Sequence, residues 1–347
     1  MNILFVPSKT PNGLEDIVYS GLNKINSVKL HEYRLKPSYH PDLVPEEELR
    51  QHIPNSSPAW LMQPPNGNHI YLDIGDINLG DFDYIIFGRT ETETLPLLSE
   101  SIKKVPQKTV FLDGEDDPLV RFIFKDIKAY FKREKFAKPH LIFRGLNRNN
   151  TEHAFDLFRR SYRTLPSLFP VPQLSCARKR IHSLNLTVIE HKYIEHHDLD
   201  IDVSLVAKVT NKMRLVYSNA LRNIAKRNRL NIYINTTGLN FADYLNVILR
   251  SKLVISIPGA GYDCFRYWEV PYYERCLLSY RLPIVIENNF VDYESALFFS
   301  SLKELEEKIL WGLKSDSYEN LRGSSKTLFN KYHTDRERAS RLLKEIT

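Results

Sequence analysis

Cysteine is scarce in this chain: 347 residues contain three, Cys176, Cys264 and Cys276, far apart and without paired spacing. That excludes a disulfide scaffold, argues against a structural zinc site and points to a reducing compartment. Long apolar runs are missing too, and none approaches the roughly 18 residues of a membrane span. The opening Met1-Asn2-Ile3-Leu4-Phe5-Val6 is too short for a secretory signal and lacks a basic start, so it reads as a first buried strand. The expected location is cytoplasmic, at most peripheral to the inner face of the membrane. Neither an internal repeat nor a low-complexity tract is found.

What is present is ordinary for a globular protein: 42% apolar and 26% charged residues. The length suits two domains, each large enough to bury a core. The formal charge of +6 comes with basic clusters at 125–138, 144–163, 178–180 and 222–229. None carries the aromatic and glycine pattern of an RNA-binding module or the spacing of a zinc finger. A solvated helix face is the first reading of each cluster, contact with an anionic membrane the second, and nucleic acid the last.

Strand signals at 2–6, 29–34, 84–87, 109–112 and 140–143 alternate with helical patterns such as 14–24, where Leu14, Ile17, Val18, Leu22 and Ile25 share a face. Seven prolines between Lys36 and Leu72 break the rhythm and predict an irregular insertion. A second unit starts near Asp200, with strands at 201–206, 231–234, 253–257 and 282–286 and helices at 213–227 and 241–249. The proline-rich stretch around Pro166 to Pro172 and the basic Arg178 to Arg180 suit an interdomain connection. Alternation of this kind predicts an α/β fold with two Rossmann-like domains of parallel sheet, at 1–178 and 179–325. An amphipathic helix through Ala339, Leu342, Leu343 and Ile346 closes a final segment, 326–347.

The densest signal lies between Ser251 and Lys308. An apolar strand empties into Pro258-Gly259-Ala260-Gly261, and an amphipathic turn with Arg266 and Glu269 follows. Small residues at the carboxyl end of a parallel strand let backbone amides approach a phosphorylated ligand. Ser251 to Gly261, then Asp263-Cys264-Phe265-Arg266-Tyr267-Trp268-Glu269, Leu277-Leu278, and the closing run from Phe298 to Ile309 together resemble the carboxyl-terminal domain of group 1 glycosyltransferases of GT-B fold, in particular the CgeB-like spore-maturation branch. The resemblance implies two facing domains with a cleft between them and a final helix that crosses back to the first. In that family a Glu-x7-Glu motif opens this helix, and its second carboxylate holds the ribose of the nucleotide. Glu269 takes that second position, whereas the first falls on Gly261, where the chain departs from the pattern.

Further candidates follow from position. Asp113, Glu115 and Asp116 leave the strand 109–112 at its carboxyl end, where crowded carboxylates can raise one another's pKa and yield a general base. An acidic helix cap beginning near Pro118 is the competing reading. Related chains carry an acidic segment here followed by a motif matched by Tyr130-Phe131-Lys132-Arg133-Glu134. Gly13 ends the loop after the first strand, and the resemblance places that loop beside the donor diphosphate. Lys208 and Arg214 follow the strand 201–206 and could neutralise a diphosphate leaving group without a metal. Arg266 could do the same, or pair with Glu269 on the same helix face. Asp198, Asp200 and Asp202 have the Asp-x-Asp spacing of a metal site, but alternate residues on a strand share a face by default. His191, His196 and His197 lack the His-x3-His spacing of zinc sites.

These readings combine into a metal-independent transferase that moves a sugar from a nucleotide-sugar to a glycan, lipid-linked or other glycoconjugate acceptor, as in polysaccharide biosynthesis. No cofactor is expected, the nucleotide-sugar being a substrate. Three alternatives stay open: a metal-dependent GT-A enzyme, a phage-type enzyme of GT-B fold that glycosylates DNA bases, and a non-catalytic nucleotide-sugar-binding protein.

Overall fold

A computed structural model describes residues 1–10, 12–34, 36, 39–40, 70–72, 77–89, 91–116, 127–137, 181–191 and 198–347. The described residues form two compact units, one from residues up to Asn185 together with Arg338–Thr347, the other from Leu186–Glu337. The expected strand at 140–143, most of the proline-rich insertion, the clusters at 144–163 and 178–180, and His196 and His197 lie outside the described residues.

In the first unit, strands β1 (Asn2–Val6), β2 (Lys29–Tyr33), β3 (Ile70–Leu72), β4 (Tyr84–Phe87), β5 (Thr109–Asp113), β6 (Ala129–Lys132) and β7 (Ile181–Ser183) form one parallel sheet in the order β3-β2-β1-β4-β5-β6-β7. Helices α1 (Gly13–Asn23) and α2 (Leu95–Lys104) connect strands. Ile3 to Val6 and Val110 to Leu112 are buried as unbroken apolar runs, the pattern of strands covered on both faces. Asn12 starts α1 by accepting from the amides of Leu14 and Glu15 at 3.2 and 3.4 Å.

The second unit contains β8 (Ile201–Val206), α3 (Lys212–Asn228), β9 (Ile232–Asn235), α4 (Phe241–Arg250), β10 (Ser251–Ser256), α5 (Phe265–Tyr272), β11 (Cys276–Tyr280), β12 (Leu297–Phe299), α6 (Leu302–Gly312) and α7 (Ser315–Tyr332). Its parallel sheet runs β12-β11-β10-β8-β9. Val203, Leu205, Leu253, Ile255, Leu278 and Phe299 pack with Tyr217 and Leu221 of α3 and Leu305 and Ile309 of α6 in one core. The last helix, α8 (Asp335–Ile346), joins the first unit from Arg338 onward. There Tyr84 donates to the carbonyl of Ile346 at 2.6 Å, Arg341 donates to that of Ser183 at 2.6 Å, and His182 meets Glu345 at 3.0 Å.

The structure corrects several sequence expectations. The strand expected at 282–286 is irregular, and the pairing strand is β11, one segment earlier. Pro283 has no N–H for a ladder, while Cys276 to Tyr280 are all buried. The segment read as a basic helix face, 125–138, contains β6 where it is described. Ala129 to Lys132 are buried in the sheet, and the Lys132 ammonium meets Asp113 at 2.9 Å. Charge made this strand look like surface; its counter-ion comes from a neighbouring strand in the sheet, which the local sequence does not reveal.

Candidate functional site

In the second sheet the chain leaves β8, places β9 on one side of it and later returns with β10 on the other. Loops leaving the carboxyl ends of β8 and β10 therefore diverge, which opens the crevice where α/β sheets bind ligands. The loop after β10 is built from underneath. Asn211 caps α3 by accepting from the amide of Arg214 at 3.0 Å, and its Nδ2 donates to the carbonyls of Pro258 and Gly259 at 3.1 and 2.9 Å. Arg214, one turn into α3, donates to the carbonyls of Pro258, Ile257 and Lys208 at 3.0, 3.2 and 2.8 Å. Burial pushes its pKa down from the ordinary value, yet a guanidinium stays charged.

These contacts draw the loop carbonyls of residues 257–259 to one side. Gly259 donates to the carbonyl of Gly261 at 2.9 Å, while the amides of Ala260 and Gly261 have no protein acceptor among the described residues. A Cβ on Gly259 would lie 2.5 Å from Arg214 Nη2, so glycine is what lets the loop sit on the guanidinium. Arg214, expected to meet a diphosphate, thus spends its hydrogen bonds on the backbone and shapes the loop. The anchor behind it is Asp263, fully buried, which accepts from the amide of Leu186 and the indole of Trp268, both at 2.7 Å.

Lys208 stretches over the neighbouring β9–α4 loop. A Cβ on Gly238, itself at φ +97°, would lie 2.5 Å from Lys208 Cε. Lys208 is exposed at the switch point. Arg266 donates to the carbonyl of Val206 at the end of β8, and its Nε and Nη1 are buried without a hydrogen-bond partner among the described residues. An unsatisfied buried donor costs about 1–3 kcal/mol, more when charged, so these atoms favour an anion or water as neighbour. Glu269, three residues on, is 6% exposed and accepts from the hydroxyl of Tyr244 at 2.5 Å. Its hydrogen bond goes to this tyrosine of α4, not to Arg266. Burial raises the Glu269 pKa, opposed by the Tyr244 hydrogen bond and the Arg266 charge.

The first unit handles its carboxylates differently. Asp113 is buried, accepts from the hydroxyl of Tyr130 and from Lys132 at 2.9 Å, and takes the amide of Glu115 at 3.2 Å. Those partners make Asp113 a fixture of the sheet edge. Glu115 is part-exposed beside Arg89 at 3.1 Å, and Asp116 is exposed beside Arg133. Gly13 is the first residue of α1, next to a cap so close to Gly114 that a Cβ there would lie 2.2 Å from Asn12 Oδ1.

No family model matches the sequence, and no curated protein matches it. Solved structures do match in fold. A glycosyltransferase from Rickettsia africae ESF-5 superposes with a TM-score of 0.58 over 99% of this chain and 97% of its own, at 12% identity. Anabaena Alr3699/HepE in complex with UDP-glucose gives 0.51 over 99% and 98%, at 9% identity. An alpha-glucosyltransferase in complex with UDP-glucose and DNA containing an abasic site gives 0.51 over 100% and 99%, at 8% identity. The chain has the GT-B fold.

Within this GT-B chain, Lys208, Arg214, Gly259, Ala260, Gly261, Arg266 and Glu269 gather at the carboxyl ends of β8 and β10 and on α5. Asp200 and Asp202 lie instead at the amino end of β8, where Arg250 Nε meets Asp200 at 2.9 Å and Lys252 meets Asp202 at 2.9 Å. His191 is held by Tyr273 at 2.9 Å, with its ring tilted against that of Tyr272 and edge-on to that of Tyr273. Two participants were not anticipated, Asn211 and Tyr244. An asparagine before a helical run could have signalled the cap; nothing local marks Tyr244, since its partner is 25 residues away.

Proposed function

We propose that this chain is a glycosyltransferase that takes a sugar from a UDP-sugar donor and passes it to a glycan, lipid-linked or other glycoconjugate acceptor without a metal. The observation that carries the reading is the β10–α5 loop, whose carbonyls are turned onto Arg214 and Asn211 and whose amides at Ala260 and Gly261 have no acceptor among the described residues. Such amides after β10, with Lys208 and Arg266 at the end of the adjacent β8, suit a diphosphate, and they suit it most when it gathers charge as a leaving group. Glu269 would accept from the ribose hydroxyls, as the family resemblance implies. Fold neighbours solved with UDP-glucose support uridine as the base.

The first unit, residues 1–178 by the sequence reading, would bind the acceptor and 179–325 the donor. Of the acidic trio, the base role falls to Glu115 or Asp116, because the Asp113 carboxylate is engaged by Tyr130 and Lys132. Gly13 would lie in the loop that approaches the diphosphate. Assignment to the CgeB-like branch rests on the motifs quoted above.

A second reading, glycosylation of DNA bases, is favoured by one fold neighbour solved with DNA and by exposed Arg222, Lys226 and Arg229 on α3 and its cap. Salt-dependent binding of duplex DNA separates the two. The primary test is release of UDP from UDP-sugars in the presence of glycan acceptors and excess EDTA. Turnover that survives EDTA supports the proposal. Loss of turnover restored by manganese or magnesium would overturn its metal-free form, and UDP binding without any turnover would leave a sensor.

A further inference from the structure

We infer that Tyr244 is the positioning residue of the ribose site, holding the Glu269 carboxylate so that the protein prefers ribonucleotides to 2′-deoxyribonucleotides. This rests on the donor-site reading above. Its basis is geometric. Glu269 projects from α5 and is almost wholly buried, and among the described residues its carboxylate has one hydrogen bond, from Tyr244 to Oε2 at 2.5 Å. Oε1, and a second lone pair on Oε2, remain for a ligand's hydroxyls.

Tyr244 is itself fixed. It stands on α4, started by Asn240, whose side chain accepts from the amide of Asp243 at 2.9 Å. Its ring packs against Ile201, Val206 and Val247, with the Arg266 guanidinium 5.8 Å from the ring centroid. Three groups therefore meet: a carboxylate, the hydroxyl that orients it, and a guanidinium near the tyrosine ring with two donors that have no partner among the described residues. A carboxylate free to rotate would lose directed contacts to a vicinal diol, because hydrogen bonds weaken steeply off-axis. The groups that face Glu269 are Tyr244 and Arg266, and burial keeps its pKa above the usual carboxylate range. An orienting hydroxyl therefore also favours the ionised form that a diol requires.

The test is calorimetric binding of UDP and 2′-deoxy-UDP to the wild-type chain, Tyr244→Phe, Glu269→Gln and the double variant. Tyr244→Phe should raise the Kd for UDP about tenfold and that for 2′-deoxy-UDP less than about twofold. In the Glu269→Gln background it should add nothing. Equal losses for both nucleotides, or additive effects in the double variant, would overturn the assignment and leave Tyr244 a packing residue. A wild-type chain that binds no UDP overturns the donor-site reading and this inference with it. UDP binding that is weakened in Glu269→Gln but unchanged in Tyr244→Phe overturns this inference alone. Should Tyr244→Phe fail to fold, 3-fluorotyrosine at position 244 keeps the ring and hydroxyl but changes donor strength. The Kd for UDP should then move while that for 2′-deoxy-UDP stays, and an equal change in both overturns the inference.

Discussion

At the switch point of the first sheet, between β1 and β4, the loop amides are taken by the protein's own carboxylates. Glu15 accepts from the amides of Ser8 and Arg89 at 2.8 and 2.5 Å, and Glu91 accepts from those of Lys9 and Thr10 at 3.0 and 3.3 Å. At the switch point of the second sheet, between β8 and β10, the amides of Ala260 and Gly261 have no acceptor among the described residues, while Lys208 is exposed just after β8 and Arg266 donates to the carbonyl of Val206 at its end. Both sheets are parallel and both have such a crevice, so topology does not separate them. Side chains do: carboxylates cap the loop amides of one crevice, and among the described residues no acceptor caps those of Ala260 and Gly261 in the other. That difference is the ground for proposing the nucleotide site in the second unit, and it illustrates why a fold alone does not name a ligand.

The comparison can be broken most sharply at Glu15. This carboxylate is fully buried, closes on Ser8 and Arg89, and lies 3.7 Å from Lys36, which also meets Asp16 at 2.9 Å. Glu15→Ala should destabilise the protein by about 3–5 kcal/mol, because it strands buried amides and part of a buried ion pair. Differential scanning calorimetry should show a large fall in Tm. If the second crevice is the nucleotide site, UDP affinity of the surviving folded fraction should not change.

A smaller and opposite effect is expected at Gly259→Ala. The added Cβ meets Arg214 2.5 Å away, so the loop must shift off its guanidinium seat. UDP affinity should drop about tenfold, with Tm lowered by only a few degrees. A drop in Tm without a loss of affinity would mean that the loop is a structural turn and not a ligand cradle.

Glu269 links affinity to pH. Its pKa is raised on folding by burial, so between its unfolded and folded values the folded chain binds more protons, and stability rises as pH falls. Ribose hydroxyls need the ionised carboxylate, so UDP affinity should weaken over that same window, above the ordinary carboxylate range. Glu269→Ala should cost about tenfold in Kd near neutrality and flatten the pH dependence, measured by calorimetry from about pH 8 to about pH 5. A wild-type profile as flat as the variant's would show that Glu269 does not touch the ligand.

The least effect should follow Asp200→Asn with Asp202→Asn. Both carboxylates pair with exposed or part-exposed cations at the amino end of β8, far along the strand from the crevice loops. Transfer rate and Tm should match the wild type in a UDP-release assay and a melting scan. A large loss of rate would move the chemistry to this edge.

Much of the fold was legible because buried parallel strands announce themselves as unbroken apolar runs. The expected strands at 2–6, 84–87 and 201–206 match β1, β4 and β8 residue for residue, and the helices at 213–227 and 241–249 fall within a residue of α3 and α4. The short edge strands β3, β7 and β12 were missed, since three residues carry too little pattern to stand out from loop. β6 was missed for a different reason: its buried lysine reads as surface until Asp113 of the adjacent strand is brought beside it.

The site divides in the same way. That Pro258-Gly259-Ala260-Gly261 and Lys208 would follow apolar strands, with Glu269 on the next helix, was readable, because a buried strand shows as an apolar run and its end as the first small or charged residues after it. What a cation there does was not readable. Arg214 and Arg266 are the same residue type in the same crevice, yet Arg214 is spent on three backbone carbonyls and Arg266 on one. Nothing in the order of residues distinguishes them; the carbonyls that occupy Arg214 come from loops 43 and 44 residues away and from one 6 residues away. Sequence alone determined the buried strands that are unbroken apolar runs, such as β1, β4 and β5, and where polar residues follow them, since burial of an apolar run is a local preference. Tertiary structure decided which charges are consumed in building the loops and which keep donors without a protein partner among the described residues, because a charge is satisfied only by what packing brings within about 3 Å of it.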